Sequence, residues 1–220
     1  MIRILDILFS LIALIVLVPI LMPIALLLKL TGEGEIFYSQ KRIGKDGKTF
    51  KLLKFATMLK NSPNMQGGTI TTKNDPRILP IGYFLRKTKI NELPQLLNVI
   101  LGDMSLIGPR PMVESNFNYY NEEEKSIISS VQPGLSGLGS ILFRNEEKLL
   151  DEKYDRHKFY QEQIVPYKAS LEIWFVKHNS ISLYLFLIFA TIYVVLFSDS
   201  KIIFKYFPSI PSIPFELNKY

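Results

Sequence analysis

Between Asp6 and Lys29 the chain runs for 22 residues without a charge, I-L-F-S-L-I-A-L-I-V-L-V-P-I-L-M-P-I-A-L-L-L. As a helix rising about 1.5 Å per residue, this segment reaches roughly 33 Å, enough to cross a hydrocarbon core of about 30 Å. A membrane location follows. A cleaved signal peptide fits poorly, because the apolar stretch is too long and no small-x-small site precedes the basic block. Two readings remain: a simple span with Met1 outside, and a re-entrant helix. Pro19 and Pro23 lie one turn apart, and each removes a backbone donor and crowds the carbonyl four residues earlier, so together they favour a bend. From the residues alone the two readings stand level.

A second uncharged segment, Ser180 to Ser198, carries scattered polarity in Ser182, Tyr184, Thr191 and Tyr193. It fits a second span, a helix lying in the headgroup layer, or a buried helix of a soluble domain. Trp174, Phe175, Lys177 and His178 just before it form the pattern of an interfacial anchor, aromatics at the acyl boundary and cations at lipid phosphates.

With 220 residues the chain is long enough for one domain with a core plus membrane-embedded parts, not for two full domains. The expected division is a membrane helix at 1–32, a cytoplasmic domain at 33–179, and a C-terminal interfacial or membrane helix with its tail at 180–220. Of the net charge of +6, much is concentrated between Lys41 and Lys60, where seven Lys or Arg stand against the single acid Asp46. Such a block suits anionic phosphates and anionic membrane lipid. An RNA-binding reading has few stacking aromatics there and leaves the membrane segment unexplained, so no nucleic-acid partner is expected. The absence of cysteine excludes disulfides and thiolate zinc sites, and fits a cytosol-facing protein. His157 and His178, set among lysines and aromatics, offer little for a histidine triad or metal cluster.

Alternation around K-D-G-K (Lys45 to Lys48) predicts a short β-hairpin within Ile36 to Met58. Residues 61–80, dense in Pro, Gly, Asn and Thr, read as a loop of functional length. Helices are expected from about Pro80 to Lys87 and from about Asn91 to Leu101, the latter capped by Thr88 or Asn91 and ended by Gly102. A capped start falls at Asn121, a charged amphipathic helix spans 145–165, and the P-S-I-P-S-I-P tail is loose or ordered by contact.

Chemistry concentrates in Lys89 to Pro111. Glu92 lies in the first turn of a helix, where a plain capping role would also suit it. Asp103 follows the helix-ending Gly102. Arg110, locked between Pro109 and Pro111, is presented from a stiff support, as a bidentate phosphate clamp requires.

K-R-I-G (Lys41 to Gly44), K-F-A-T-M (Lys54 to Met58), N-D-P-R (Asn74 to Arg77), F-L-R-K-T (Phe84 to Thr88), N-E-L-P-Q-L-L-N-V (Asn91 to Val99), G-D-M-S-L-I-G-P-R-P (Gly102 to Pro111) and Q-P-G-L-S-G (Gln132 to Gly137) occur in order. The series closely resembles the bacterial sugar transferase family, the monotopic phosphoglycosyl transferases that start polysaccharide and glycoprotein glycan assembly. The resemblance implies an α+β, mostly helical, membrane-associated enzyme with a re-entrant N-terminal helix hairpin broken near Pro19, a short β-hairpin and interfacial amphipathic helices. It implies transfer of a sugar-1-phosphate from a UDP-sugar to undecaprenyl phosphate, with release of UMP, on the cytoplasmic face of the bacterial inner membrane. Mg²⁺ is the implied cofactor, and an Asp-Glu dyad the implied catalytic pair, its Asp attacking the β-phosphate of the donor. Glu92 matches the Glu of that dyad and is the expected metal ligand.

Asn91 stands where the nucleophilic Asp is expected, and a neutral amide is a poor phosphoryl acceptor. Three routes stay open. Another carboxylate serves, either Glu92 or an acid of Arg144 to Glu147; or transfer is direct, with Asn91 orienting a phosphate oxygen; or the protein is an inactive membrane-bound binder of nucleotide-sugar or polyprenyl phosphate. Ala56 also departs, standing where the family often has a cation, so Lys54 and Arg86 carry more of the phosphate binding. Arg77, Lys87 and Asp103 complete the expected substrate-binding set with Arg110. Leu138 to Arg144 differs from the tryptophan-containing pattern of many relatives, so neither the sugar nor the oligomeric state is read from these motifs.

Overall fold

The computed structural model describes residues 1–65, 75–144, 146–151, 155–197, 202–214 and 217. The fold is mostly helical with two small sheets. It opens with α1 (Ile2–Thr31) and the hairpin of β1 (Phe37–Ile43) and β2 (Thr49–Phe55), followed by α2 (Pro80–Thr88), α3 (Gln95–Leu101) and β3 (Ser105–Ile107). Two short helices come next, α4 (Glu114–Phe117) and α5 (Glu122–Ser129), then β4 (Gly134–Ser136), α6 (Leu138–Leu142), α7 (Glu146–Asp151) and α8 (Arg156–Phe159). The long α9 (Val165–His178) and α10 (Ile181–Phe197) lead to a terminal turn, α11 (Ile202–Tyr206).

The hairpin forms where expected. β1 and β2 pair antiparallel in register from Phe37 against Phe55 to Ile43 against Thr49, around a turn whose Asp46 takes a positive φ of 56°. Asn98 then fastens β2 to α3. Its Oδ1 accepts from Leu53 N at 3.0 Å, and its Nδ2 donates to Lys51 O at 2.8 Å and to Asp103 Oδ2 at 3.1 Å.

β3 and β4 run parallel, Ser105 beside Gly134 and Ile107 beside Ser136. This contact explains two of the glycine motifs. A Cβ on Gly108 would lie 2.5 Å from Gln132 O, and one on Gly134 would lie 2.1 Å from Gly108 N, so the two backbones touch where no side chain fits. The strap carrying Arg110 is thereby clamped to the strand after Pro133.

α1 runs unbroken through Pro19 and Pro23, so the interruption expected at Pro19 is not a break in the helix. Both of its ends dock on the domain. Arg3 donates to the carbonyls of Val99 and Ile100, and the buried Asp6 accepts from Ser105 Oγ at 2.9 Å, Leu106 N at 2.8 Å and Tyr184 OH at 2.7 Å. At the other end Ile24 and Leu28 pack with Phe55 and Leu85. The middle faces outward, with Ile15 at 73% and Met22 at 67% exposure. Among the described residues α1 is the one helix long and apolar enough to cross a membrane. α10 buries Leu183, Leu187, Ala190 and Val194 in the main core while Leu185, Phe189, Ile192 and Leu196 face out, so it is apolar on both sides.

Two expectations shift. Neither Thr88 nor Asn91 caps a helix: Lys89 takes a left-handed turn (φ 63°), Ile90–Glu92 form a 3₁₀ turn, and α3 starts only after Pro94. The Thr88 hydroxyl instead turns back to the carbonyl of Phe84 at 2.8 Å. The charged helix expected over 145–165 is divided, because Asp155 caps a new start and Tyr160–Ile164 form a π turn ahead of Pro166; residues 145 and 152–154 lie outside the described set. The tail is ordered by contact: Ile203, Ile210 and Leu217 are buried, and Tyr167 OH donates to Pro211 O at 2.9 Å. Of the expected loop at 61–80, residues 66–74 are likewise outside the described set.

Candidate active site

Three separate elements deliver side chains to one point. β2 brings Lys54, the 3₁₀ turn before Pro94 brings Asn91 and Glu92, and the strap after β3 brings Arg110. Glu92 Oε1 sits 3.2 Å from Lys54 Nζ and 2.8 Å from Arg110 Nη2, and its Oε2 sits 3.5 Å from Arg110 Nη1. Arg42, from β1, joins them. It donates to Pro111 O at 3.2 Å and to Gln40 Oε1 at 2.6 Å. Three cations thus face one carboxylate, and the cluster carries a surplus of positive charge.

The electrostatics follow from that imbalance. Burial works to raise the Glu92 carboxyl, but Arg110 and Lys54 outweigh it and hold the group well below the usual carboxylate range. Burial pushes the Lys54 ammonium down to about 8 against the pull of Glu92, and burial together with Arg110 pushes Arg42 down to about 10. An incoming anion relieves both, because added negative charge restores what desolvation removed.

The cluster opens into a cavity of about 1080 Å³. Among the described residues six buried side-chain polar atoms lack a hydrogen-bond partner, and four of them belong to residues that line this cavity: Arg42 Nε, Asn91 Oδ1, Ser140 Oγ and Glu172 Oε2. Unsatisfied buried polar groups are rare in folded proteins and costly. Their concentration here marks a surface built for a polar ligand.

The expected site residues divide. Asn91, Glu92, Lys54, Arg86, Arg77 and Arg110 line the cavity; Lys87 and Asp103 do not. Arg77 is 3% exposed and grips Asp75 at two points, Nε at 2.8 Å and Nη2 at 2.6 Å, which fixes the chain beside the 66–74 segment. Asp103 supports Asn98, and so acts on β2 and Lys54 from outside the cavity. Sequence reasoning passed over Arg42 as one cation of a block, and did not single out Asn98, Lys168, Ser140 or Glu172. For Glu172 a signal existed: it is a lone acid between Leu171 and Ile173 in a run that is otherwise apolar.

Glu172, on α9, lies beneath the strap. It is 4% exposed, Oε1 accepts from the Arg110 peptide N–H at 3.4 Å, and a Cβ on Gly139 would stand 2.5 Å from that oxygen. Burial pushes its carboxyl up to about 7, against the Arg110 peptide N–H and Lys168. Unfolded, the group titrates near its ordinary 4.5. Between these values the native state holds a proton that the unfolded state has released, so stability falls as pH rises from about 4.5 to about 7, and the penalty is complete above that. The penalty is on the order of 3 kcal/mol. Glu172→Gln keeps the acceptor without the charge, and is expected to raise the melting temperature at pH 8 by roughly 6–12 °C while leaving it little changed at pH 4.5. A thermal scan of both proteins across that range checks it.

Metal donors are few. Among the described residues no group of three or more His, Asp and Glu gathers to hold an ion. The Glu92 carboxylate and the unpartnered Asn91 Oδ1, from consecutive residues on the cavity wall, are oxygen donors of the kind Mg²⁺ takes when phosphate oxygens and water fill its other positions.

A mostly helical fold with one helix long and apolar enough to cross a membrane, and a cationic, carboxylate-bearing cavity, fits an enzyme that handles anionic groups. Residues 1–198 match the bacterial sugar transferase family, and the chain belongs to it; it is a sugar-phosphate transferase. It is 41% identical over 155 residues to the exopolysaccharide production protein ExoY of Sinorhizobium fredii, covering 64% of this chain and 68% of that protein. It is 36% identical over 173 residues to the UDP-glucose:undecaprenyl-phosphate glucose-1-phosphate transferase of Escherichia coli, covering 77% of this chain and 36% of that one. Over 109 residues it is 47% identical to a putative undecaprenyl-phosphate N-acetylgalactosaminyl 1-phosphate transferase of Bacillus subtilis, half of this chain and 60% of the relative. The chain therefore spans about a third of the Escherichia coli enzyme and more of the shorter relatives.

Proposed function

We propose that this protein transfers a sugar-1-phosphate from a UDP-sugar to undecaprenyl phosphate in one displacement, at the cytoplasmic face of the bacterial inner membrane, as the first membrane step of glycan assembly. A phosphate oxygen of the lipid bonds to the β-phosphorus of the donor, the bond from that phosphorus to the bridging oxygen breaks, and UMP leaves with it. The observation that carries this reading is the excess of Lys54, Arg42 and Arg110 over Glu92 in a cavity lined by unsatisfied polar atoms. Two phosphates bring the charge that balances it.

A single displacement is favoured by the state of the carboxylates. Glu92 is paired with two cations, Glu146 with Lys168 at 2.6 Å and Glu35 with Lys60 at 2.9 Å, Glu33 accepts from the Lys60 peptide, and Glu172 is buried under the strap, so each described cavity carboxylate is already engaged or buried. Mg²⁺, held by Glu92 and Asn91, would neutralise charge on the diphosphate. Arg110, Lys54 and Arg42 then bind the phosphates, orient the β-phosphorus and stabilise charge on departing UMP.

The division into a membrane helix at 1–32, a catalytic domain at 33–179 and an interfacial 180–220 segment belongs to the same proposal. Re-entry of α1 is supported by its two anchors. A straight helix would hold residues 3 and 28 about 38 Å apart. Yet Arg3 bonds to Val99 O while Leu28 packs in the cluster with Ile90, nine residues away on a largely helical stretch of about 15 Å. A bend at Pro19 and Pro23 brings the ends together and leaves Ile15 to Met22 as the inserted tip.

Protein in lipid nanodiscs, given a panel of UDP-sugars, Mg²⁺ and undecaprenyl phosphate, is expected to release UMP only when the lipid is present. Intact mass measured without lipid is expected to be unchanged. Binding of UDP-sugar with no UMP release under any condition would leave a binding protein instead.

A further inference from the structure

Beyond the cationic cluster the cavity has a second wall, formed by α6, α7 and α9. Lys168 Nζ pairs with Glu146 Oε2 at 2.6 Å, with both side chains partly open at 12% and 24% exposure. Ser140 Oγ is buried on the same cavity without a partner. The wall adjoins the phosphate cluster, because Glu146 and Tyr160 act electrostatically on Arg110 and Glu172 of α9 accepts from the Arg110 peptide.

A nucleotide-sugar extends to both sides of its diphosphate, so this wall meets either the base or the sugar. A base needs a flat aromatic face on which to stack. The two rings here, Phe143 and Tyr160, already carry Lys168 Nζ over their faces, at 5.0 and 5.4 Å from the ring centres. What the wall offers is a carboxylate that accepts, an ammonium that donates and a hydroxyl that does either. That set matches the adjacent hydroxyls of a hexose, each both donor and acceptor.

We infer that Glu146, Lys168 and Ser140 form the subsite that recognises the sugar of the donor. The inference rests on the UDP-sugar reading above and adds to it the residues that select the sugar. Glu146 accepts hydrogen bonds from hydroxyls, Lys168 holds Glu146 in place and donates to a second hydroxyl, and Ser140 finds in the sugar the partner that the protein does not give it. The uridine then lies on the opposite side of the diphosphate.

Calorimetric titration of the full chain in nanodiscs separates sugar from nucleotide. The probes are UDP and the tightest binder among UDP-glucose, UDP-galactose and their N-acetyl forms. Glu146→Gln is expected to weaken the UDP-sugar about tenfold, and Ser140→Ala several-fold, with UDP held within twofold in both. Ser140→Ala removes one oxygen and keeps the packing, so it reports even if the Glu146 variant lowers the melting temperature. Equal losses for UDP and UDP-sugar, or no loss for either, would overturn the sugar subsite while leaving the transferase reading intact. Wild-type protein that binds neither probe would overturn both.

Discussion

Glu92→Gln is expected to lower the rate of UMP release about a thousandfold while UDP still binds within several-fold of wild type. The side chain keeps its size and can still accept from Arg110 and Lys54, which now stand 2.8 and 3.2 Å from Oε1. What it loses is charge. Binding of the donor draws on Arg110, Arg42 and Lys54, all of which remain, so affinity is largely preserved. Turnover draws on a carboxylate that holds those cations in one geometry and contributes to a divalent site, and a neutral amide does neither well. The split between binding and rate separates this role from a structural one. A structural Glu92 would lose both together, along with the melting temperature, and a capping residue would lose almost nothing. Titration with UDP beside a UMP-release assay, on the same preparation, reads all three outcomes.

What the sequence disclosed about this site depended on how far apart its parts lie. The hairpin at Phe37–Phe55 was legible because a turn at Lys45–Lys48 and its flanking alternation are local. The run from Asn91 to Pro111 was legible because one short segment holds both Glu92 and Arg110, which the structure joins at 2.8 Å. Partners more than sixty residues apart were not. Glu172 meets the Arg110 peptide across 62 positions, and Ser105, Tyr184 and Leu106 converge on Asp6 from 99, 178 and 100 positions away. No periodicity encodes such meetings, because they depend on how layers stack. The same limit governs Arg77, whose N-D-P-R setting reads as a binding motif although its guanidinium is committed to Asp75. Asn98 is the opposite case: a polar residue in a helix whose side chain serves a strand, a role visible only once β2 lies beside α3. Gly108 and Gly134 stand in two of the quoted motifs, yet the reason for them, the contact of one backbone with the other, is tertiary.

Asn91→Asp is expected to change the route as well as the rate. In wild-type protein Asn91 is 5% exposed, and its Oδ1 has no partner on the protein. A second carboxylate at such a position would ordinarily cost several kcal/mol, because it adds a buried charge next to Glu92. Here Lys54, Arg42 and Arg110 outnumber the one acid they surround, so the added charge is absorbed by cations already in place. The variant therefore folds, and it places a carboxylate oxygen where the wild-type Oδ1 touches no donor, on the cavity wall beside the cations that would gather the donor phosphates. Carboxylate attack on the β-phosphorus would expel UMP and leave the phospho-sugar on the protein. After exposure to UDP-sugar and Mg²⁺ without lipid, the intact mass of Asn91→Asp is expected to rise by one phospho-sugar, mapped to residue 91, while wild type stays unchanged; UMP release then no longer waits for the lipid. A phospho-sugar adduct on the wild-type protein would instead sink the single displacement, and peptide mapping of that adduct to Glu92 or Glu146 would identify the carboxylate that replaces the missing Asp. Failure of the variant to form any adduct, with lipid-dependent turnover intact, would mean that position 91 orients phosphate and does not face the phosphorus.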